Sequence, residues 1–263
     1  MKEITLATTT SARDSGLLGH LLPKFEAEYG FKVKIHAVGS GMAMDMARRG
    51  QADVLLVHDP AGEQQLLNEG IGVNRKLVMH NDFILVGPGT DPAKIKGLDS
   101  IIEAFSKIVQ TKSIFVSRGD ASGTDKREKL IWQKAGLDPH TTTYQEVKGG
   151  MAETLAVASG KQGYVLTDRA TFLAQKHDLN LELMVENDDL LLNMYHVIQV
   201  NPDKFAHVNN EGAQKFAGFL VGTTAQNIIG NFLKDRFGQP LFMPDAGKTA
   251  DDIIKGNFKQ AIV

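Results

Sequence analysis

Residues 6–16 read LATTTSARDSG. The stretch starts as a buried strand should, with Ile4, Leu6 and Ala7 apolar, and then places the hydroxyls of Thr8, Thr9, Thr10 and Ser11 where that strand is expected to end. A helix is expected from Leu17. A strand-to-helix junction of this composition offers hydroxyl donors beside the unpaired N–H groups of a helix N-terminus, so something polar is expected there.

Working outward, the first third alternates strands at Glu3–Ala7, Lys32–Ala37 and Val54–Val57 with helices at Leu17–Tyr29, Met42–Arg49 and Gly62–Asn68. Val/Ile/Leu-rich strands separated by helix-length segments predict a parallel sheet covered on both faces. A second alternation follows: helix Ile101–Gln110, strand Ser113–Val116, helix Gly123–Ala135, strand Tyr144–Val147, helix Met151–Ser159, strand Tyr164–Thr167 and a helix from Asp168 to Gln175. Two longer β-prone runs, Lys76–Val86 (KLVMHNDFILV) and Leu190–Val200 (LLLNMYHVIQV), bracket this middle third, and helices are expected at Gly212–Val221 and Ala225–Asp235. The pattern predicts an α/β protein of two lobes joined by two crossing segments, with lobe 1 formed by 1–86 and 194–263 and lobe 2 by 87–193. In open α/β sheets ligands bind beyond the carboxyl ends of the strands, which here means a cleft between the lobes.

Four junctions share a composition: TTTS at 8–11, GSG at 39–41, SRGDASGT at 117–124 and KGGM at 148–151. Hydroxyls donate, adjacent N–H groups point the same way, and glycine lets the backbone approach a compact ligand, which suits an oxyanion. Each junction alone reads first as a helix N-cap, and it is the four together that favour a ligand. Arg118 adds a permanent charge at the end of its strand, or else pairs with neighbouring Asp120; Asp120 should face the outer nitrogens of Arg118 or cap the next helix. Asp168 reads as an N-cap, His58-Asp59-Pro60 as a turn, His80-Asn81-Asp82 as hydrogen bonding at a hinge, Arg48-Arg49 as a helix C-terminus, and Met42, Met44 and Met46 as core packing.

Composition narrows the function. The chain has 263 residues with 42% apolar and 23% charged, enough for one large or two medium domains. A net charge of −2 without a dense Lys/Arg tract argues against a nucleic acid partner. There is no cysteine, which is compatible with an oxidising compartment. GxSxG, HExxH and GxxxxGK[ST] signatures are missing, and the eight histidines lack metal-ligand spacing, so no enzyme and no metal site are expected.

In order along the chain, LATTTSARDSGLL, AVGSGMA, ADVLLVHDP, MHNDFILVGP, FVSRGDASGT, GGMAETL, YVLTDRATF and LLLNMYHVI resemble the periplasmic tungstate-binding proteins of tungstate ABC importers, within the type II periplasmic binding proteins. The chain departs from that pattern at Ser40 (usually threonine), Ala121 (often acidic) and Ala170 (usually glycine). The resemblance implies a Venus-flytrap receptor that binds tungstate, with molybdate as the ligand that charge, shape and size hardly separate from it. By position, Thr9 and Ser11 fall in the first ligand loop, Ser40 in the second, Arg118, Ser122 and Thr124 in the third, and Gly150 and Met151 in the fourth. It further implies no cofactor, a permease and its ATPase as partners, a monomer, and a periplasmic or extracellular location beside the transporter, reached through an export signal absent from this chain. Phosphate- or sulfate-type binding remains an alternative, as does, further off, an enzyme on the same fold or the sensing domain of a regulator.

Overall fold

The computed structural model describes residues 2–254. Its contacts divide the chain into two compact units, the first made of 2–80 and 194–254, the second of 81–193. The sequence pattern predicts the first crossing at 86/87; contacts place it at 80/81, because Phe83–Val86 pair with a strand of the second unit. The stretch 255–263, expected in lobe 1, lies outside the described residues.

In the first unit, β1 (Lys2–Thr9), α1 (Thr10–Asp14), α2 (Leu17–Tyr29), β2 (Phe31–Val38), α3 (Ser40–Arg48), β3 (Val54–Val57) and α4 (Pro60–Asn68) lead into β4 (Gly72–Gly87), a 16-residue strand that continues into the second unit. β1 pairs in parallel with β2 from Lys2↔Phe31 to Thr9↔Val38, and with β3 from Leu6↔Val54 to Thr8↔Leu56. All three therefore end at one edge of the sheet. α2 buries Leu17, Leu18, Leu21, Leu22 and Phe25, the i, i+1, i+4, i+5, i+8 stripe of an amphipathic helix. Phe25 packs edge-on against Phe216 at 5.0 Å.

The second unit holds α5 (Ile101–Gln110), β5 (Ile114–Ser117), α6 (Gly123–Ala135), β6 (Thr143–Glu146), α7 (Met151–Lys161), β7 (Val165–Asp168), α8 (Arg169–Gln175) and β8 (Glu182–Val185). β5 and β6 are parallel from Ile114↔Thr143 to Ser117↔Glu146, so their following loops leave the same edge. Beside β5 the Val116 N–H donates to the Tyr164 carbonyl and the Tyr164 N–H to the Ile114 carbonyl, both at 2.8 Å, and the second half of β4 pairs with β7 and β8. Phe105, Phe115 and Trp132 meet at centroid distances of 4.4 to 5.2 Å in the core. Burying each such ring stabilises the fold by roughly 1.5–3 kcal/mol.

The chain then returns as β9 (Leu192–Val200) and closes the first unit with α9 (Asn210–Leu220), α10 (Thr223–Asn231), α11 (Lys234–Phe237) and β10 (Met243–Pro244). The parallel sheet expected of the first third is found in β1, β2 and β3, but the sheet as a whole is mixed. β9 runs antiparallel to β3, β10 to β4, and β7 and β8 to β4, since β4 and β9 carry the chain across and back instead of closing a βαβ unit. Met44 is buried and Met46 packs against the same core, but Met42 is 60% exposed, so core packing accounts for two of the three methionines.

Candidate functional site

In the first unit the hydroxyl run divides its labour. Thr8 belongs to β1 and donates to the Leu56 carbonyl at 2.7 Å, so it serves the sheet. Thr9, buried, is the N-cap of α1, and its Oγ1 accepts from the Ala12 N–H at 3.3 Å. Accepting a cap bond leaves a hydroxyl proton to give, and capping and ligand donation are compatible. Ser11 is exposed on the first turn of α1, with its Oγ 3.0 Å from Thr9 Oγ1, 3.2 Å from the Tyr195 hydroxyl and 3.4 Å from His58 Nε2. Tyr195 and His58, whose rings lie 4.7 Å apart, are site neighbours the motif reading passed over; the β9 run quoted for the resemblance contains the tyrosine. His58-Asp59-Pro60, read as a turn, opens α4: the Asp59 side chain caps it at Gly62 N–H, and Pro60 takes the first helical position.

Ser40 is the first residue of α3 and is nearly buried. Its N-cap, Gly39, has ordinary extended backbone (φ −72°, ψ 156°), no side-chain cap, and open space where a Cβ would sit. Gly150, the N-cap of α7, repeats this (φ −66°, ψ 164°). Neither conformation nor packing requires glycine at either place. What glycine supplies is access to the first N–H groups of two helices.

In the second unit the β5–α6 loop is pinned by left-handed backbone at Gly119 (φ 61°) and Ala121 (φ 58°), and a Cβ on Gly119 would lie 2.7 Å from the Glu146 Cβ. Ser122 caps α6, its Oγ accepting from the Asp125 N–H at 3.3 Å, and Thr124 is buried in the first turn. Arg118 donates through Nη2 to Asp120 Oδ2, while its Nε is buried without a hydrogen-bond partner among the described residues. The other Asp120 oxygen accepts from the Ser122 N–H at 3.1 Å. Burial works to raise the Asp120 carboxyl, but the hydrogen bonds from Ser122 and the Arg118 guanidinium outweigh it and hold it below the usual carboxylate range. Of the two expectations for Asp120, the first is met, since it faces an outer arginine nitrogen; the cap of α6 is Ser122, and Asp120 accepts from the N–H of that cap residue. The Met151 side chain packs with Ile84, Val86, Val116 and Leu155, so only its main-chain N–H is offered at the start of α7.

Asp168 caps α8, with its oxygens on the Thr171 N–H and hydroxyl at 2.8–2.9 Å. Arg169 bonds Asp82 at 2.8 and 3.0 Å through Nε and Glu186 at 2.6 Å; burial lowers its basicity, but the two carboxylates more than restore it and raise it above the ordinary guanidinium value. Asn81 accepts from Asn193 Nδ2 at 2.7 Å, and His80 Nδ1 lies 2.6 Å from buried Asp245. These polar residues are committed to structure. Among the described residues no His/Asp/Glu group has the arrangement of a metal site, and no helix is long and apolar enough to cross a membrane.

The profile of the PBP superfamily domain matches residues 2–224. The tungstate-binding protein TupA of Peptoclostridium acidaminophilum is 47% identical over 247 residues, 93% of this chain and 86% of that protein. Among solved structures, the tungstate-binding protein TupA of Desulfovibrio alaskensis aligns with a TM-score of 0.85 at 37% identity, covering 94% of this chain and all of the other. The tungstate ABC transporter structure from Geobacter sulfurreducens aligns at 0.77 and 39% identity, covering 88% and 98%. Mixed α/β architecture, sequence and superposition agree: the chain belongs to the PBP superfamily and, within it, to the family of the tungstate-binding protein TupA.

Proposed function

We propose that this protein is the solute-binding receptor of an ABC importer and that it captures tungstate, with molybdate as a second ligand, without catalysing a reaction. The observation that carries the reading is the pair of glycine N-caps, Gly39 and Gly150, which leave the starts of α3 and α7 without a side-chain cap, with open space where a Cβ would sit. A tetrahedral dianion has four oxygens and takes about eight donors. Thr9, Ser11 and Ser40 in the first unit, and Arg118, Ser122, Thr124 and the Gly150 and Met151 N–H groups in the second, supply that number and kind. In this reading the two donor sets share one anion, so binding and closure of the two lobes are a single event, and the closed receptor delivers its cargo to a membrane permease driven by a cytoplasmic ATPase. It acts as a monomer and uses no cofactor.

A phosphate bearing a proton needs an acceptor in the site. The two carboxylates that could serve, Asp120 and Asp168, are already engaged by donors of the chain, which disfavours the phosphate alternative. Isothermal titration calorimetry against tungstate, molybdate, sulfate and phosphate, in a non-phosphate buffer, tests the reading. Tight one-to-one binding of tungstate with sulfate and phosphate silent is expected. Substituting Arg118→Gln should weaken tungstate binding at least tenfold, since a charge-assisted hydrogen bond contributes roughly 1.5–3 kcal/mol. Silence towards all four anions would overturn the assignment.

A further inference from the structure

Arg118 is the only cation among the proposed ligands, yet its charge does not stand alone. Asp120 holds one outer nitrogen, and its carboxylate is fixed from the other side by the Ser122 N–H between two residues in left-handed backbone, Gly119 and Ala121. Such a carboxylate does not swing away when a ligand arrives; it travels with the guanidinium. The neighbouring charges cancel in the same manner, since buried Asp125 accepts from the Ala121 N–H at 3.0 Å and pairs with Lys129 at 2.8 Å. The loop that carries Arg118, Ser122 and Thr124 thus presents donors aimed by geometry but little net charge.

We propose that Asp120 sets the affinity threshold of the site: by neutralising Arg118 while leaving its buried Nε unpartnered, it lowers the affinity of every dianion alike, so that only an anion that fills the donor positions binds measurably. The inference deepens the oxyanion-receptor reading and rests on it. An uncompensated arginine would attract every divalent oxyanion, including the abundant small ones, before any donor is satisfied. With the charge cancelled, an anion too small to reach all donors leaves some unpaired and binds poorly.

The test compares wild type with Asp120→Asn, which removes the charge and keeps one acceptor oxygen for the Ser122 N–H, while its amide nitrogen no longer accepts from Arg118. The titrants are tungstate, sulfate and perrhenate, the last a tetrahedral monoanion of similar size, each at low and moderate salt. In the variant, tungstate should bind roughly tenfold tighter, sulfate should gain by the same factor and become measurable, perrhenate should gain only about threefold, and the salt dependence should steepen. Unchanged or weaker tungstate binding, or an equal gain for perrhenate, would overturn the inference and leave Asp120 as a clamp that merely positions Arg118. If Asp120→Asn loses its native circular dichroism, Asp120→Ser, which also accepts from the Ser122 N–H, is read in its place against the same criteria. A wild-type protein that binds none of the three sinks the receptor reading, and this inference with it; a wild type that binds tungstate beside a variant without the gain sinks the inference alone.

Discussion

Thr8, Thr9 and Ser11 are three hydroxyls within four positions, and each does something different: one donates to the sheet, one caps a helix, one faces solvent at the helix start. Thr8→Val should therefore cost about 1 kcal/mol in denaturant unfolding and leave tungstate affinity unchanged, whereas Ser11→Ala should leave the unfolding midpoint in place and weaken tungstate binding about tenfold by calorimetry. That hydroxyls gather at this junction is legible in the residue types. Which one is left exposed at the helix start is not, because that depends on β1 running on to Thr9, in register with Val38, further than its apolar residues alone imply. Glu128 was not legible as a titrating group at all. It is 2% exposed on α6, accepts from the Tyr144 hydroxyl at 2.7 Å and the Trp132 Nε1 at 3.2 Å, and burial pushes its carboxyl up to about 7 against those bonds, with Asp125 adding to the rise. Since its pKa is raised in the folded state, the stability it contributes is complete below the unfolded value near 4.5 and is lost as pH rises through about 7. Wild type should lose roughly 2–4 kcal/mol relative to Glu128→Gln between about pH 5 and pH 8, read from denaturant midpoints across that range.

The β5–α6 loop depends on Gly119, whose positive φ and closeness to the Glu146 side chain leave no room for a Cβ. Gly119→Ala should lower stability by about 1–2 kcal/mol and shift the N-terminus of α6, so that tungstate affinity falls even under conditions where the variant remains fully folded. Circular dichroism beside calorimetry separates the two effects. Longer elements with clear periodicity, such as α2, α5, β4 and β9, were legible because a whole buried face must be apolar. α1, β8 and β10 were not: α1 is one turn of hydroxylic and charged residues, β8 is a four-residue ELMV segment, and β10 is a two-residue pairing with Met79 and His80 that only the folded chain creates. The mixed direction of the sheets was equally hidden, since apolar runs such as KLVMHNDFILV do not encode which way a neighbour runs.

For the protein as a whole, an anion that binds the folded state alone must raise its melting temperature with concentration. At a hundredfold excess over Kd the gain is about 2.7 kcal/mol, which a thermal melt with and without tungstate detects, while sulfate at the same concentration should leave the melt unmoved. The division into two units joined at two places was foreshadowed by the two long β-prone runs, and the position of the first boundary was missed because a single continuous strand, β4, serves both units. The same chain path dictates an order of events at the ribosome. The second unit is one uninterrupted stretch and has every strand it needs once β8 has been made, but β3, four apolar residues at VLLV, waits for its neighbour β9 until that entire stretch has been synthesised. Until then the nascent first unit carries a bare, apolar strand edge, the kind of surface that recruits another chain. A stalled or truncated product ending before Leu192 should therefore clump with its own kind, and the cell has reason to shield this protein during its manufacture.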